Sequence, residues 1–378
     1  MSEKHITSEG KSFIKEEIDE IREIVEAEFP VLEEELLTGK DLSTQGILFR
    51  CKKTADTNSS FNNILENLKN KGYTPFMREK EDRIEIIVKK GVEEGSTGLT
   101  TKHVILFTAT VLTTLLAGSL LFQINIIENP FLIWKGWPFS AAILLVLGTH
   151  ELGHYIISKK RDVAATPPYF IPVPPPFPLG TLGAVIKTKS PMPDKRAMFD
   201  IGIAGPLLGL TVAIPVTMIG LYLSPLPYAP EESLFELGKP LIYRFLIYII
   251  SPGDGLLHPV AFAGWVGFFL TFLNLLPVGQ LDGGHIFRSL FENNYNQISR
   301  TVPILLLSIG FFLTIVLNAN GGVWIFWGFI TLFFHHGGHP PPLNDVKELD
   351  KKRKAIGFLT VIIMLMCFTP VPISIVGG

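Results

Sequence analysis

The stretch "LVLGTHELGHYIIS", Leu145–Ser158, sets two demands against each other. Its flanks read as the interior of a membrane helix, yet it contains His150-Glu151-Leu152-Gly153-His154. Two imidazoles four residues apart project from one face of a helix and can share a tetrahedral metal ion, with Glu151 beside them as a base. Ionisable side chains in a run as apolar as "AAILLVLGTHELGHYII" are costly at membrane depth, where such groups face a polar cavity and mark function. The stretch therefore predicts a membrane helix carrying part of a metal site.

The rest of the chain agrees. Of its 378 residues 47% are hydrophobic and only 18% charged, and the mean hydropathy is +0.35. The charge is concentrated at one end: residues 1–100 hold 21 of the 35 acidic and 15 of the 33 basic side chains. A polar head and an apolar body follow, with a boundary near residue 100. The head carries a net charge of about −6 and lacks the basic stripe a nucleic-acid footprint requires, which excludes nucleic acid as a partner. Cys51 and Cys367 are the two cysteines, so neither a disulfide framework nor a cysteine zinc site is expected. The N-terminus has no basic region followed by an apolar one, so a cleaved secretory signal is not expected and the later apolar runs drive insertion.

Within the head, Phe13, Ile14, Ile18, Ile21, Val25 and Phe29 recur at helical spacing and Pro30 ends that helix. "TQGILFRC" and "DRIEIIVKK" read as strands around the helical "SSFNNILENLKNKG", with "YTPFMREKE" as a further short strand and turn. "KGVEEGSTGLTTK" is a linker. The expected division is a soluble acidic α+β domain with its linker over 1–98 and a membrane domain over 99–378, whose catalytic core spans about 139–290.

Apolar runs that approach the roughly 20 residues needed to cross a bilayer predict spans near 103–123, 139–158, 198–223, 259–277, 302–318, 323–336 and 356–376. "LIYRFLIYIIS" at 241–251 reads as re-entrant or interfacial. The basic clusters "SKKR" at 158–161, Lys187, Lys189, Lys195, Arg196, Arg288, Arg300 and "KELDKKRK" at 347–354 fall on one side, whereas loops 124–138 and 224–258 are nearly neutral or acidic. Cytoplasmic loops carry the positive excess, so about seven spans in a multi-pass cell-membrane protein are expected, with the N-terminal domain in the cytoplasm. The fold class is thus mainly α, a polytopic helical membrane protein with a small N-terminal α+β domain.

A catalytic zinc ion takes three protein ligands and keeps one position open. The candidate third ligand is Asp282 in "FLNLLPVGQLDGGH", 128 residues past His154 but at the same predicted face; an Asp before Gly283-Gly284 can also simply cap a turn. Asn274, eight residues earlier on the same apolar span, can hold substrate backbone or an oxyanion, or make a helix–helix hydrogen bond. His285 reads either as a residue behind the metal ligands or as an interfacial histidine. "FFHHGGHPP" (His335, His336, His339) invites a divalent ion but has no carboxylate before Asp345, and is read as an interfacial turn. The proline-rich loop 167–178, with Pro174, and the alternating "GTLGAVIKTKS" after it, with Gly183, read as an edge strand that could hold an unwound substrate, or as a rigid surface loop.

Together "HELGH" in one span and "NLLPVGQLDGG" (Asn274, Pro277, Asp282, Gly283) in a later one resemble the site-2 protease family of intramembrane zinc metalloproteases. The resemblance covers roughly residues 139–290. It extends to "FDIGIAGPLLG" between the motifs and, through "PPYFIPVPPPFPLGTLGAVI" and "HPPPLND", to the archaeal, cyanobacterial and plastid branch with an acidic N-terminal domain. The spelling Asn-Leu-Leu-Pro departs from the Asn-Pro-x-Pro of many members but leaves Asn274 and Asp282 in register.

The resemblance implies one zinc ion per chain held by His150, His154 and Asp282, Glu151 as catalytic carboxylate, and cleavage of peptide bonds in or beside a transmembrane segment of another membrane protein, the activity of regulated intramembrane proteolysis. Its partners would be a transmembrane protein substrate, the bilayer and a regulatory partner of the N-terminal domain. The alternatives are a metal transporter, which would distribute polar residues along several spans, and a catalytically silent scaffold, which would not need Glu151.

Overall fold

The structure, a computed structural model, describes residues 13–37, 45–91, 97–224, 235–250, 257–336 and 339–375. The chain divides into two compact units.

The first unit gathers the described part of residues 1–95 with two short segments from far along the chain, Ser190–Lys195 and Pro340–Glu348. Helices α1 (Lys15–Glu26) and α2 (Thr57–Lys69) lie against an antiparallel sheet of β1 (Val31–Leu37), β2 (Gly46–Lys52), β3 (Tyr73–Lys80) and β4 (Arg83–Lys90), in the order β1-β2-β4-β3. The helical stripe expected from the spacing buries Ile21, Val25 and Phe29 against Phe49, Phe61, Ile64, Ile84 and Ile86. β3 and β4 join through Glu81 and Asp82, both at positive φ, the two-residue turn that matches strand twist.

β1 was not expected from its sequence, because "VLEEELL" places three glutamates in succession where a strand would alternate. Its pairing resolves this: Glu33 and Glu35 accept from Arg50 of β2 at 3.0 and 2.9 Å, while Glu34 meets Arg22 of α1 at 2.7 Å. The edge of β3 is covered by the Pro340–Glu348 segment. The Met77 amide donates to the Leu343 carbonyl at 2.7 Å and the Asp345 amide to the Met77 carbonyl at 2.9 Å, and Leu343 enters the unit's core. Covering an edge removes a template for unwanted strand pairing. The Asn344 side chain reaches Asn58, and Lys347 reaches Asp194 of the other inserted segment at 2.6 Å.

The second unit is helical: α3 (Thr101–Leu121), α4 (Trp137–Lys160), α5 (Lys195–Tyr222), α6 (Leu241–Ile250), α7 (Pro259–Asn274), α8 (Asp282–Leu290), α9 (Tyr295–Ile315), α10 (Gly322–His336) and α11 (Lys351–Cys367). Two small antiparallel sheets interrupt it, the hairpin of β5 (Tyr169–Pro172) with β6 (Thr181–Val185) and the pairing of β7 (Phe235–Leu237) with the distant β8 (Ile373–Ile375). By length and composition four segments can cross a membrane: α3, α4 with the short 3-10 turn before it, α5, and α9 with the turn before it. Each of the seven expected spans contains a helix, but α7, α10 and α11, at 16, 15 and 17 residues, are not among these four. Phe139, Val146, Trp265, Phe268 and Trp324 pack at the centre of this unit, whereas Val104, Phe107, Leu305, Phe312 and Phe358 stay exposed, as a lipid-facing surface would require.

Two boundaries differ from expectation. The last span ends at Cys367, not 376, because Pro370 and Pro372 cannot continue a helix and the chain turns into β8. α7 ends at Asn274, and Asp282 opens a separate helix, so these two residues do not share a span. The 10-residue α6 is too short to cross. The basic helix ends do meet: Arg353 of α11 donates to both carboxylate oxygens of Asp200 on α5 at 2.7 Å each, and Arg161, just past α4, reaches the same carboxylate.

Candidate metal centre

The site is assembled from α4, α5 and the turn between α7 and α8. On α4 the four-residue spacing puts His150 and His154 on one face, with Nε2 atoms 3.2 Å apart. Asp282, the first residue of α8, sends Oδ2 to within 3.3 Å of His150 Nε2 and Oδ1 to within 3.2 Å of His154 Nε2. The sequence separation of 128 residues is closed by the fold, and among the described residues this is the one grouping of three side chains suited to a metal ion.

These separations fit zinc. Tetrahedral ligands about 2.0–2.1 Å from an ion stand about 3.3 Å from one another, close to the 3.2 Å between the two Nε2 atoms and the 3.2–3.3 Å from each of them to one of the two Asp282 oxygens. His154 is also held in the required tautomer: its Nδ1 donates to the Ile201 carbonyl at 2.8 Å, leaving the Nε2 lone pair for a metal. All three residues are largely withdrawn from solvent. Glu151, half-buried, lies within electrostatic reach of His150, His154 and Asp282.

α5 fits against this face because it carries glycine where the imidazoles approach. A Cβ at Gly205 would collide with the His154 ring, and one at Gly209 would stand 3.1 Å from His150 Cβ. The "GPLLG" pattern is thus the seat of both histidines.

Asn274, the last residue of α7, brings Nδ2 to 3.2 Å from His150 Nε2, which puts it beside the three donors. Pro174 and Gly183 stand elsewhere, on the β5–β6 hairpin. Pro174 is exposed in the loop. Gly183 lies on β6 at φ +96 with open space where a side chain would be. The hairpin approaches α4 two residues before His150, where Phe170 of β5 lies against Gly148.

Sequence reasoning singled out His285, His335 and His339 but not the contacts that join them behind the site, and it missed Tyr295 and Ser299. His339 Nε2 lies 2.8 Å from His285 Nδ1, Tyr295 donates to the Gly279 carbonyl at 2.9 Å, and His335 Nδ1 meets Ser299 Oγ at 3.1 Å. The close histidines were the visible signal, but nothing in their spacing says that they turn back toward the Asp282 loop. They form no three-ligand cluster among the described residues.

A His-Glu-x-x-His helix completed by a distant aspartate at an apolar helix end defines a zinc metallopeptidase type of centre. Residues 138–317 match the family model described as Peptidase family M50, the likeness that the two motifs suggested. Two similar proteins named "Probable zinc metalloprotease EGY1, chloroplastic" are 30% identical over 62% of this chain and 43% of the relative in Arabidopsis thaliana, and 31% identical over 62% and 40% in Oryza sativa subsp. japonica. "Probable zinc metalloprotease EGY2, chloroplastic" of Arabidopsis thaliana is 24% identical over 66% of this chain and 45% of its own length. The chain thus spans less than half the length of these curated relatives. No solved structure matches it.

Proposed function

We propose that this chain is an intramembrane zinc endopeptidase that cleaves peptide bonds in or next to transmembrane segments of other membrane proteins, in regulated intramembrane proteolysis. The observation that carries the reading is the convergence of His150 and His154 of α4 with Asp282 of α8, the two Nε2 atoms 3.2 Å apart and each within 3.2–3.3 Å of one oxygen of the same carboxylate. His150, His154 and Asp282 hold one zinc ion, which when bound acidifies a water molecule and polarises the substrate carbonyl. Glu151 takes the proton from the attacking water and passes it to the leaving amine. Asn274 directs its amide N–H groups at the substrate backbone or the developing oxyanion. A transmembrane helix hides its amides in intrachain hydrogen bonds, so the substrate must unwind locally before attack; the β5–β6 edge, with Pro174 and Gly183, receives the extended segment.

In the proposed arrangement, seven helices cross a cell membrane with residues 1–98 in the cytoplasm as a domain open to a regulatory partner, and residues 99–378 form the protease. A silent scaffold would have no use for Glu151, and a transporter would spread polar residues along its spans. The test is cleavage of a single-span substrate by wild type and Glu151→Gln reconstituted in vesicles, with bound zinc measured in both. Zinc retained at one per chain and cleavage lowered at least about 100-fold is expected; a wild-type rate in Glu151→Gln overturns the mechanism.

A further inference from the structure

Asp282 is the one metal-ligand candidate that does not sit inside a long helix. It follows a seven-residue turn, Leu275–Leu281, whose only internal hydrogen bonding is short-range: Val278 N to Leu276 O at 2.8 Å and Leu281 N to Val278 O at 3.2 Å. Such a turn does not by itself hold a carboxylate to within the few tenths of an ångström that a tetrahedral site requires.

The support comes from α9 and α10. Gly279, at the centre of the turn, has φ +54, and its carbonyl accepts from the buried Tyr295 hydroxyl at 2.9 Å. Its amide faces the buried Ser299 hydroxyl at 3.5 Å, and Ser299 Oγ is in turn 3.1 Å from His335 Nδ1. On the remaining side the turn abuts the end of α10 so closely that a Cβ on Gly279 would lie 2.6 Å from the Phe334 carbonyl. One helical turn past Asp282, His285 Nδ1 is 2.8 Å from His339 Nε2, and the His339 ring stands edge-on to Tyr295, with centroids 5.7 Å apart. His335 and His339, with Tyr295 and Ser299, therefore brace the segment that presents Asp282 on both sides, at Gly279 and at His285.

We propose that Tyr295, Ser299 and His335, acting through Gly279, together with His339, acting through His285, are positioning residues that set the place of Asp282 and so the affinity of the metal centre. The proposal rests on the reading of His150, His154 and Asp282 as zinc ligands. None of the positioning side chains needs to touch metal or substrate. Outer partners that orient metal ligands characteristically govern affinity by 10–100-fold.

The experiment measures zinc affinity of the purified full chain by competition with a chromophoric chelator, and the visible spectrum of the cobalt(II)-substituted protein. Tyr295→Phe and Ser299→Ala, each of which removes one hydroxyl and little volume, are expected to bind zinc about tenfold or more weakly and to shift the cobalt bands. Ser299→Thr, which keeps the hydroxyl, restores both. Binding within twofold of wild type in both hydroxyl deletions overturns the proposal, as does a loss of zinc that Ser299→Thr fails to rescue and that tracks a lower helix content. Asp282→Ala separates the two readings: if it keeps wild-type zinc affinity, the ligand assignment fails; if it loses zinc while Tyr295→Phe and Ser299→Ala do not, only the positioning role fails.

Discussion

At the scale of single residues, the steric limits around the two imidazoles yield a graded prediction. A methyl group at Gly205 would enter the His154 ring, whereas one at Gly209 needs His150 to give by only a few tenths of an ångström. Gly205→Ala should therefore lose at least about tenfold in zinc affinity and Gly209→Ala markedly less, read by chelator competition. Cys51 gives a second test. It is buried in the core of the first unit, and burial pushes its thiol up to about 12. Because the folded state disfavours the thiolate, the contribution of this group to stability is fully present below the ordinary thiol value near 9 and is lost as pH rises toward 12. In the full-length protein Cys51 should resist iodoacetamide at pH 8 and react on denaturation, as followed by peptide mass spectrometry. Much of the metal centre is readable at this scale: His150 and His154 announce themselves by spacing, and Asp282 by being a carboxylate at the end of an apolar run. Tyr295 and Ser299 are not readable, because a lone hydroxyl in an apolar helix looks the same whether it bonds its own backbone or a loop from elsewhere.

At the scale of elements, turns decided what was legible. α3, α4 and α5 are long and apolar, so they appear where their hydropathy places them. The expected span ended at 277, three residues past the end of α7, but the start of α8 at Asp282 was invisible, since "NLLPVGQLDGG" reads on as one run to the aspartate. β1 was hidden for a different reason: its glutamates are answered by Arg50 and Arg22, and such pairing is a tertiary fact. The β5–β6 hairpin was readable from prolines that bar a helix. If this hairpin receives substrate, deleting Pro174–Pro176 should lower cleavage of a single-span substrate about tenfold or more while leaving zinc stoichiometry unchanged; unaltered cleavage would remove the hairpin from the mechanism.

At the scale of the molecule, the first unit is not a contiguous piece of chain. Its β3 edge and part of its core are supplied by Pro340–Glu348, which lies between α10 and α11 in sequence. Leu343→Ala should destabilise this unit by ~2–5 kcal/mol, as for other buried leucines, seen as earlier loss of Cys51 protection in a denaturant series. Time of synthesis is where this arrangement has its consequence. The ribosome releases residue 95 about 245 residues before it reaches residue 340, an interval of ~10–50 s at ~5–20 residues per second. Throughout that interval the β3 edge waits without its cover, while α3 to α10 are being synthesised. The N-terminal unit reaches its final form only after the last polar connection before α11 has been made, so its completion reports that the chain behind it has been threaded.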